Sequence, residues 1–195
     1  MMRYIVVIAI LLFSGCSIKD VEKRADNYRL EPRYPLHVNN TRDDRVLRVQ
    51  RVEGDSAAMT RSILYKKDGA LKPYKYGRWT ELPATRLQEI FIEAIEKQKI
   101  FRATVSSHSY ADADLILESS LEKFEEIYRD EKSFVHVSIR FRLIERQGAD
   151  IVGSVLIESV NLVEQKEARG VVLAFNAAIE KTTIDLTRWL NEQSK

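Results

Sequence analysis

The chain has 195 residues, 31 basic and 29 acidic, for a formal net charge of +2. That balance offers no basic excess for a nucleic-acid partner. A single cysteine excludes an internal disulfide and leaves stability to burial, for which the roughly 180 residues from that cysteine onward are enough to build one domain.

The cysteine stands at the end of an apolar run, Ile5 to Phe13, followed by Ser14, Gly15 and Cys16. Nine helical residues would cover about 14 Å, less than half of a ~30 Å hydrocarbon core, so the run reads as the core of a signal peptide and not as a permanent span. Arg3 gives the positive end, and Ser14 and Gly15 the small residues a peptidase requires. "FSGC" resembles a lipobox, with Phe13 where leucine is usual and Leu12 one place further back. In this reading residues 1–15 are a lipoprotein signal peptide, the Cys16 thiol carries a covalent diacylglycerol, and residues 16–27 form the lipidated N-terminus and tether. The plainer alternative is a secreted chain with a chance cysteine at its cleavage point.

"SIKDVEKRADN" is charged and without apolar period, as expected of a tether. "YRLEPRYPLHVNNTRDD", with Pro32 and Pro35, reads as an extended lead-in and a loop. Three short strands follow, over Arg45 to Val52, Arg61 to Lys67 and Pro73 to Trp79, separated by turn chemistry at Gly54-Asp55-Ser56 and Lys67-Asp68-Gly69. Pro83 suits the first turn of a helix. Leu87, Ile90, Phe91, Ala94 and Ile95 then recur at helical spacing opposite Arg86, Glu89, Glu93, Glu96 and Lys97.

No proline follows Pro83, so long strands are permitted. Val135, Val137, Ile139, Phe141 and Leu143 alternate with polar residues, and strands over Leu115 to Tyr128 and Ile151 to Val163 flank them across the short links "RDEKS" and "RQGAD". Short links predict an antiparallel meander. The alternation slips between Ile157 and Val160, which reads as a bulge. A second helix follows Gly170, with Val171, Val172, Phe175, Ala178, Ile179, Leu186, Trp189 and Leu190 repeating every three or four residues. The predicted fold class is α+β: residues 28–195 as a single domain, a mostly antiparallel sheet with two amphipathic helices packed on one face.

Motifs for chemistry are weak. "GDS" at Gly54 to Ser56 lacks a matching Asp-x-x-His base and reads as a turn. "SLEK" at Ser120 to Lys123 needs a helical turn, whereas on a regular strand the pair would face opposite ways. His37, His108 and His136 are scattered, giving no metal site, and the seven glycines are isolated, giving no phosphate loop and no cofactor site. Glu89, Glu93, Lys97 and Arg188 read as solvated helix faces. No catalytic residues are expected.

The runs "SILYKKDGALKPYKYGRWTELPATRLQEIF" (Ser62 to Phe91), "ADADLILESSLEKFEE" (Ala111 to Glu126) and "VSIRFRLIER" (Val137 to Arg146) resemble the ABC-type transport auxiliary lipoprotein family. The shared features are a strand ending in Trp79, Pro83 opening a helix, and an Ala-Asp-x-x-Leu strand start, either Ala113, Asp114 and Leu117 or Ala111, Asp112 and Leu115. The resemblance implies a non-enzymatic envelope lipoprotein, facing the periplasm from the outer membrane, that docks on an MCE-domain protein of a phospholipid transporter; self-association is left open. Ser17, in place of an inner-membrane-retaining aspartate, favours the outer membrane. The competing readings are a lipopolysaccharide-assembly lipoprotein and an envelope hydrolase. Within "YKYGRW", Trp79 is expected in the core and Tyr74 and Tyr76 toward a partner, with the tyrosines on the face opposite Trp79 unless Gly77 introduces a bulge.

Overall fold

A computed structural model describes residues 24–34, 42–55 and 57–194. The expected signal peptide, Cys16, Ser17, most of the loop after Tyr34, and Ser56 lie outside the described residues. Among the described residues the chain forms β1 (Asp26–Tyr28), β2 (Asp43–Val49), β3 (Glu53–Gly54), β4 (Ser62–Lys67), β5 (Ala70–Trp79), α1 (Pro83–Gln98), β6 (Phe101–Ser106), β7 (Leu115–Arg129), β8 (Lys132–Glu145), β9 (Ile151–Leu162) and α2 (Ala168–Gln193).

The 15-residue β7 is the spine of one sheet. Along one edge it pairs antiparallel with β8, from Leu115↔Glu145 to Arg129↔Lys132, and β8 pairs antiparallel with β9. Along its other edge β2, β3 and β4 succeed one another in parallel, at Leu47↔Leu115, Glu53↔Ser120 and Tyr65↔Glu126. Beyond them lie β6, parallel to β2, and β5, hairpin partner of β4, with β1 parallel on its far side. The sheet is therefore mixed, which corrects the mostly antiparallel expectation. Local links show only hairpins. The α1 crossover carries the second half back beside the first, and a crossover returns strands in parallel.

Both helices cover the same face, as expected. Pro83 opens α1 at its first turn, and Lys99, with φ 54°, closes it in the left-handed region. The α1 stripe reaches β8 through Phe91 and Phe141, whose ring centroids are 5.2 Å apart. The α2 stripe reaches β7 and β5 through Phe175, 4.4 Å from Phe124 and 5.3 Å from Trp79. Val135, Val137, Ile139, Phe141 and Leu143 are fully buried between these contacts.

The bulge expected in β9 is not there. Ile157, Ser159 and Val163 are buried without a break in register, and Ser159 donates its hydroxyl to Asn161 Oδ1 at 2.9 Å. A satisfied serine thus takes an inward place, while Val160 and Leu162 are exposed. β9 breaks register only near its start, where Val152 is extra between Ile144↔Ile151 and Leu143↔Gly153, and β7 bulges between Leu121↔Ile139 and Lys123↔Ser138. Because Arg140 and Ser138, the partners of Ser120 and Lys123, share one face of β8, the β7 bulge turns Ser120 and Lys123 to the same side, against the expectation for a regular strand.

Residues 28–34 cross both helices as a strap. Leu30 is buried, and its carbonyl accepts from Arg86 Nε of α1 at 3.0 Å. Glu31 N–H donates to Asn176 Oδ1 of α2 at 2.8 Å. Tyr34 donates to Glu93 at 2.9 Å, and the Lys97 ammonium stands 4.2 Å from the Tyr34 ring centroid. Arg86 also pairs with Glu89 at 2.8 Å and Glu93 at 3.1 Å. This side of α1, expected to be solvated, holds the strap.

Candidate functional site

The β4–β5 hairpin turns through Asp68 and Gly69, both at positive φ (53° and 78°), the conformation a two-residue Asp-Gly turn requires. From Lys67↔Ala70 the ladder runs evenly to Leu64↔Pro73, then jumps to Ser62↔Arg78. The extra residues on β5 form a bulge. Through it Tyr74, Gly77 and Trp79 all turn inward, so Tyr74 packs against the core to which Trp79 belongs, and 38% of Tyr76 is exposed. Space at Gly77 is tight, because an added Cβ would stand 2.8 Å from that of Ala168 at the start of α2.

Tyr74 donates its hydroxyl to Glu126 Oε2 at 2.6 Å, and Glu126 is only 1% exposed. The Tyr65 ring meets Tyr74 edge-on at 5.4 Å and Tyr128 at 6.1 Å. Tyr28 and Tyr76 join these three rings around a cleft of about 540 Å³, which Lys67, Lys75 and Lys166 also line, with Asp26 and Glu167. Burial, and then the bond to Glu126, hold the Tyr74 hydroxyl proton well above the ordinary value near 10. Burial, and then the Glu126 charge, raise Tyr128. The Tyr74 hydroxyl, held protonated, acts here as a hydrogen-bond donor to Glu126. The cleft offers aromatic faces, ammonium groups and a buried carboxylate behind them, which suits recognition of a ligand that is itself charged and polar.

The structure brings Tyr74 and Tyr76 to one cleft and supplies three rings that the sequence reading had not placed there. Glu126 left a partial trace: in "KFEEIY" it shares the parity of the buried Phe124, on which the exposed Tyr128 also lies. Tyr28 and Tyr65 needed the topology. The other residues singled out hold the fold. Asp114 accepts from Val46 N–H at 2.8 Å through its carboxylate and donates its own N–H to the Val46 carbonyl at 2.9 Å, seating β7 against β2. Ala113 and Leu117 are buried, so the Ala-Asp-x-x-Leu start is Ala113, Asp114 and Leu117; Asp112 is exposed and pairs with Arg146. His136 lies 3.1 Å from Glu158, and His108 lies 3.3 Å from Arg51.

A profile of the ABC-type transport auxiliary lipoprotein component matches residues 28–186. Among solved structures, the fold is similar to that of protein XCC0632 from Xanthomonas campestris, with a TM-score of 0.77 and 17% identity over 87% of this chain and 96% of that one. A second crystal structure, of an uncharacterized protein, gives a TM-score of 0.68 and 12% identity over 86% and 99%. Hypothetical protein CT253 from Chlamydia trachomatis gives 0.52 and 6% over 75% and 98%. At these identities the likeness shows the fold alone. No curated protein matches the chain.

Proposed function

Since the chain belongs to the ABC-type transport auxiliary lipoprotein family, we propose that it is a lipid-anchored, non-enzymatic cell-envelope protein that docks on an MCE-domain protein moving phospholipid between membranes. The observation that carries this reading is the family match, which covers nearly all of the folded domain. Cys16 is the proposed lipidation site and the outer membrane the proposed location. Two or three acyl chains hold a protein to a bilayer far more firmly than one. Confinement near one membrane raises the effective concentration of the domain for a membrane-bound partner.

Tyr74 and Tyr76, expected toward a partner, both line the tyrosine cleft, which in this reading is a recognition surface for a charged, polar ligand. The β9 edge, which pairs only with β8 among the described residues, presents an unpaired ladder that suits strand addition by a partner or a second copy. Affinity capture of the lipidated protein from gently solubilised membranes tests the role. An MCE protein is expected among the recovered chains. Repeated recovery of lipopolysaccharide-export or barrel-assembly components without one would overturn the assignment.

A further inference from the structure

We infer that the tyrosine cleft binds the headgroup of a phospholipid, its phosphate on the lysines and its terminal ammonium against the tyrosine rings. The inference rests on the proposal that Cys16 anchors the chain in a bilayer, and it adds a ligand for the folded domain itself.

The chemistry of the lining selects both halves of such a ligand. Aromatic faces attract ammonium groups, and the Glu126 carboxylate buried behind Tyr74 adds negative charge on the same side. A cation already sits on one of these rings, since Lys75 Nζ lies 4.9 Å from the Tyr76 centroid. Lys67, Lys75 and Lys166 provide the charge-assisted donors a phosphate monoanion requires. The volume of about 540 Å³ falls within the ~300 to 1,000 Å³ usual for small-ligand sites and leaves room for a headgroup.

The place of the cleft points to the same occupant. Asp26 of β1 lines it and lies ten residues after Cys16. Ten residues reach at most ~35 Å, so a lipid on Cys16 would keep the cleft within that distance of the bilayer surface. Between Tyr65 and Tyr76 the hairpin carries Lys66, Lys67, Lys72 and Lys75 against Asp68 alone, and Leu71 near its tip is 41% exposed. Lysines that extend their ammonium groups to water, tyrosines with polar tips and a protruding leucine match the layered polarity of a headgroup region. A protein interface is the weaker fit, because lysine is depleted at the centre of such interfaces.

The test uses the full lipidated protein in nanodiscs, with carbon-labelled tyrosine rings followed by NMR. Discs of phosphatidylglycerol alone are compared with discs containing increasing phosphatidylethanolamine, and inorganic phosphate and free ethanolamine are added separately. Phosphatidylethanolamine should shift the Tyr65, Tyr74 and Tyr128 signals saturably, while the phosphatidylglycerol discs and the free ions leave them in place. Lys67→Glu with Lys75→Glu should weaken that response about tenfold or more by removing two phosphate partners, with melting unchanged. Tyr76→Ser, at the exposed rim, is the second variant should the first fold poorly, and should weaken the response as well.

Equal shifts with inorganic phosphate alone would make the cleft a simple anion site, and rings that respond to no lipid but move when an MCE protein is added would make it a protein-docking surface. Either result overturns the inference. Fatty-acid labelling at Cys16 and partner capture are read in separate experiments, so failure of the ring response in protein already shown to be lipidated is distinguishable from failure of the proposed role.

Discussion

Tyr74 of β5 and Glu126 of β7, 52 positions apart, meet hydroxyl to carboxylate at 2.6 Å across the intervening β4. The tyrosine expected on a contact surface is therefore also a tie between the hairpin and the spine of the sheet. Tyr74→Phe removes the donor and deprives a carboxylate that is 1% exposed of its short hydrogen bond. A loss of about 1–3 kcal/mol in urea unfolding is expected, the usual cost of an unsatisfied buried group. Glu126→Gln keeps an acceptor for the same hydroxyl and should cost less. The reverse order would show that this bond does not hold the hairpin down.

Trp79 is 2% exposed and lies between Phe124, at 5.9 Å, and Phe175, at 5.3 Å. Trp79→Ala should lower stability by about 3–5 kcal/mol, as loss of a large buried ring does, and should flatten the near-ultraviolet circular dichroism. Trp79→Phe keeps a ring against both neighbours and should cost clearly less. Equal losses from the two variants would mean that the contact lies in the indole alone.

The two helices and the β8 alternation were legible because their signal is local: period 3.6 or 2 within one element. The mixed sheet was not. The pairing of β2, β3 and β4 with β7 joins residues some 60 or more positions apart, and no pattern within β2 or β7 says which edge the other will meet. In β9 the apolarity of Val160 drew it inward in the sequence reading. The Ser159–Asn161 bond, which lets a serine take that place, depends on a partner two residues away. The cleft was half legible for a related reason. Tyr74 and Tyr76 stand out as aromatics crowded into one strand, whereas Glu126 becomes their neighbour only once β4 lies on β7.

Tyr34 and Tyr74 should mark the alkaline limit of stability. Burial first, and then bonds to Glu93 and Glu126, raise both hydroxyls above the ordinary value near 10. The folded state thus holds these protons more tightly than the unfolded state. Their contribution is complete below pH 10 and falls as pH rises beyond it. Absorbance titration should show a late class among the eight tyrosines, and denaturant midpoints should drop over the same range. Tyr74→Phe should shrink both effects; a single titration step near 10 for all eight would contradict the prediction.

Cys16→Ser should abolish incorporation of labelled fatty acid and leave either unprocessed precursor or protein released from the membrane, if the cysteine is the acyl acceptor that its register after Ser14 and Gly15 proposes. Undiminished labelling would place the lipid elsewhere and remove the geometric link between anchor and β1.

The strap over the helices gives the last test. Arg86 is 7% exposed and divides its guanidinium between the Leu30 carbonyl, Glu89 and Glu93. Burial pushes the Glu93 carboxyl up, but the bonds from Tyr34 and Arg86 outweigh it and leave the group below its ordinary 4.5. Glu93 therefore stabilises the folded state fully above that value, and the contribution is lost as pH falls through its depressed folded value. Arg86→Ala removes all three contacts and should cost about 1–3 kcal/mol through the orphaned Leu30 carbonyl and the unpaired acids. Arg86→Lys should recover only part of this, because a single ammonium cannot reproduce the planar fork. The Glu31 amide, bonded to Asn176, reports on the strap directly by hydrogen exchange. After correction for intrinsic rates its protection should fall in Arg86→Ala, and in the wild type on acidification below the ordinary carboxylate range. Glu93→Gln should flatten that acid dependence. Protection of Glu31 that is indifferent to both substitutions would mean that burial of Leu30 alone holds the strap in place.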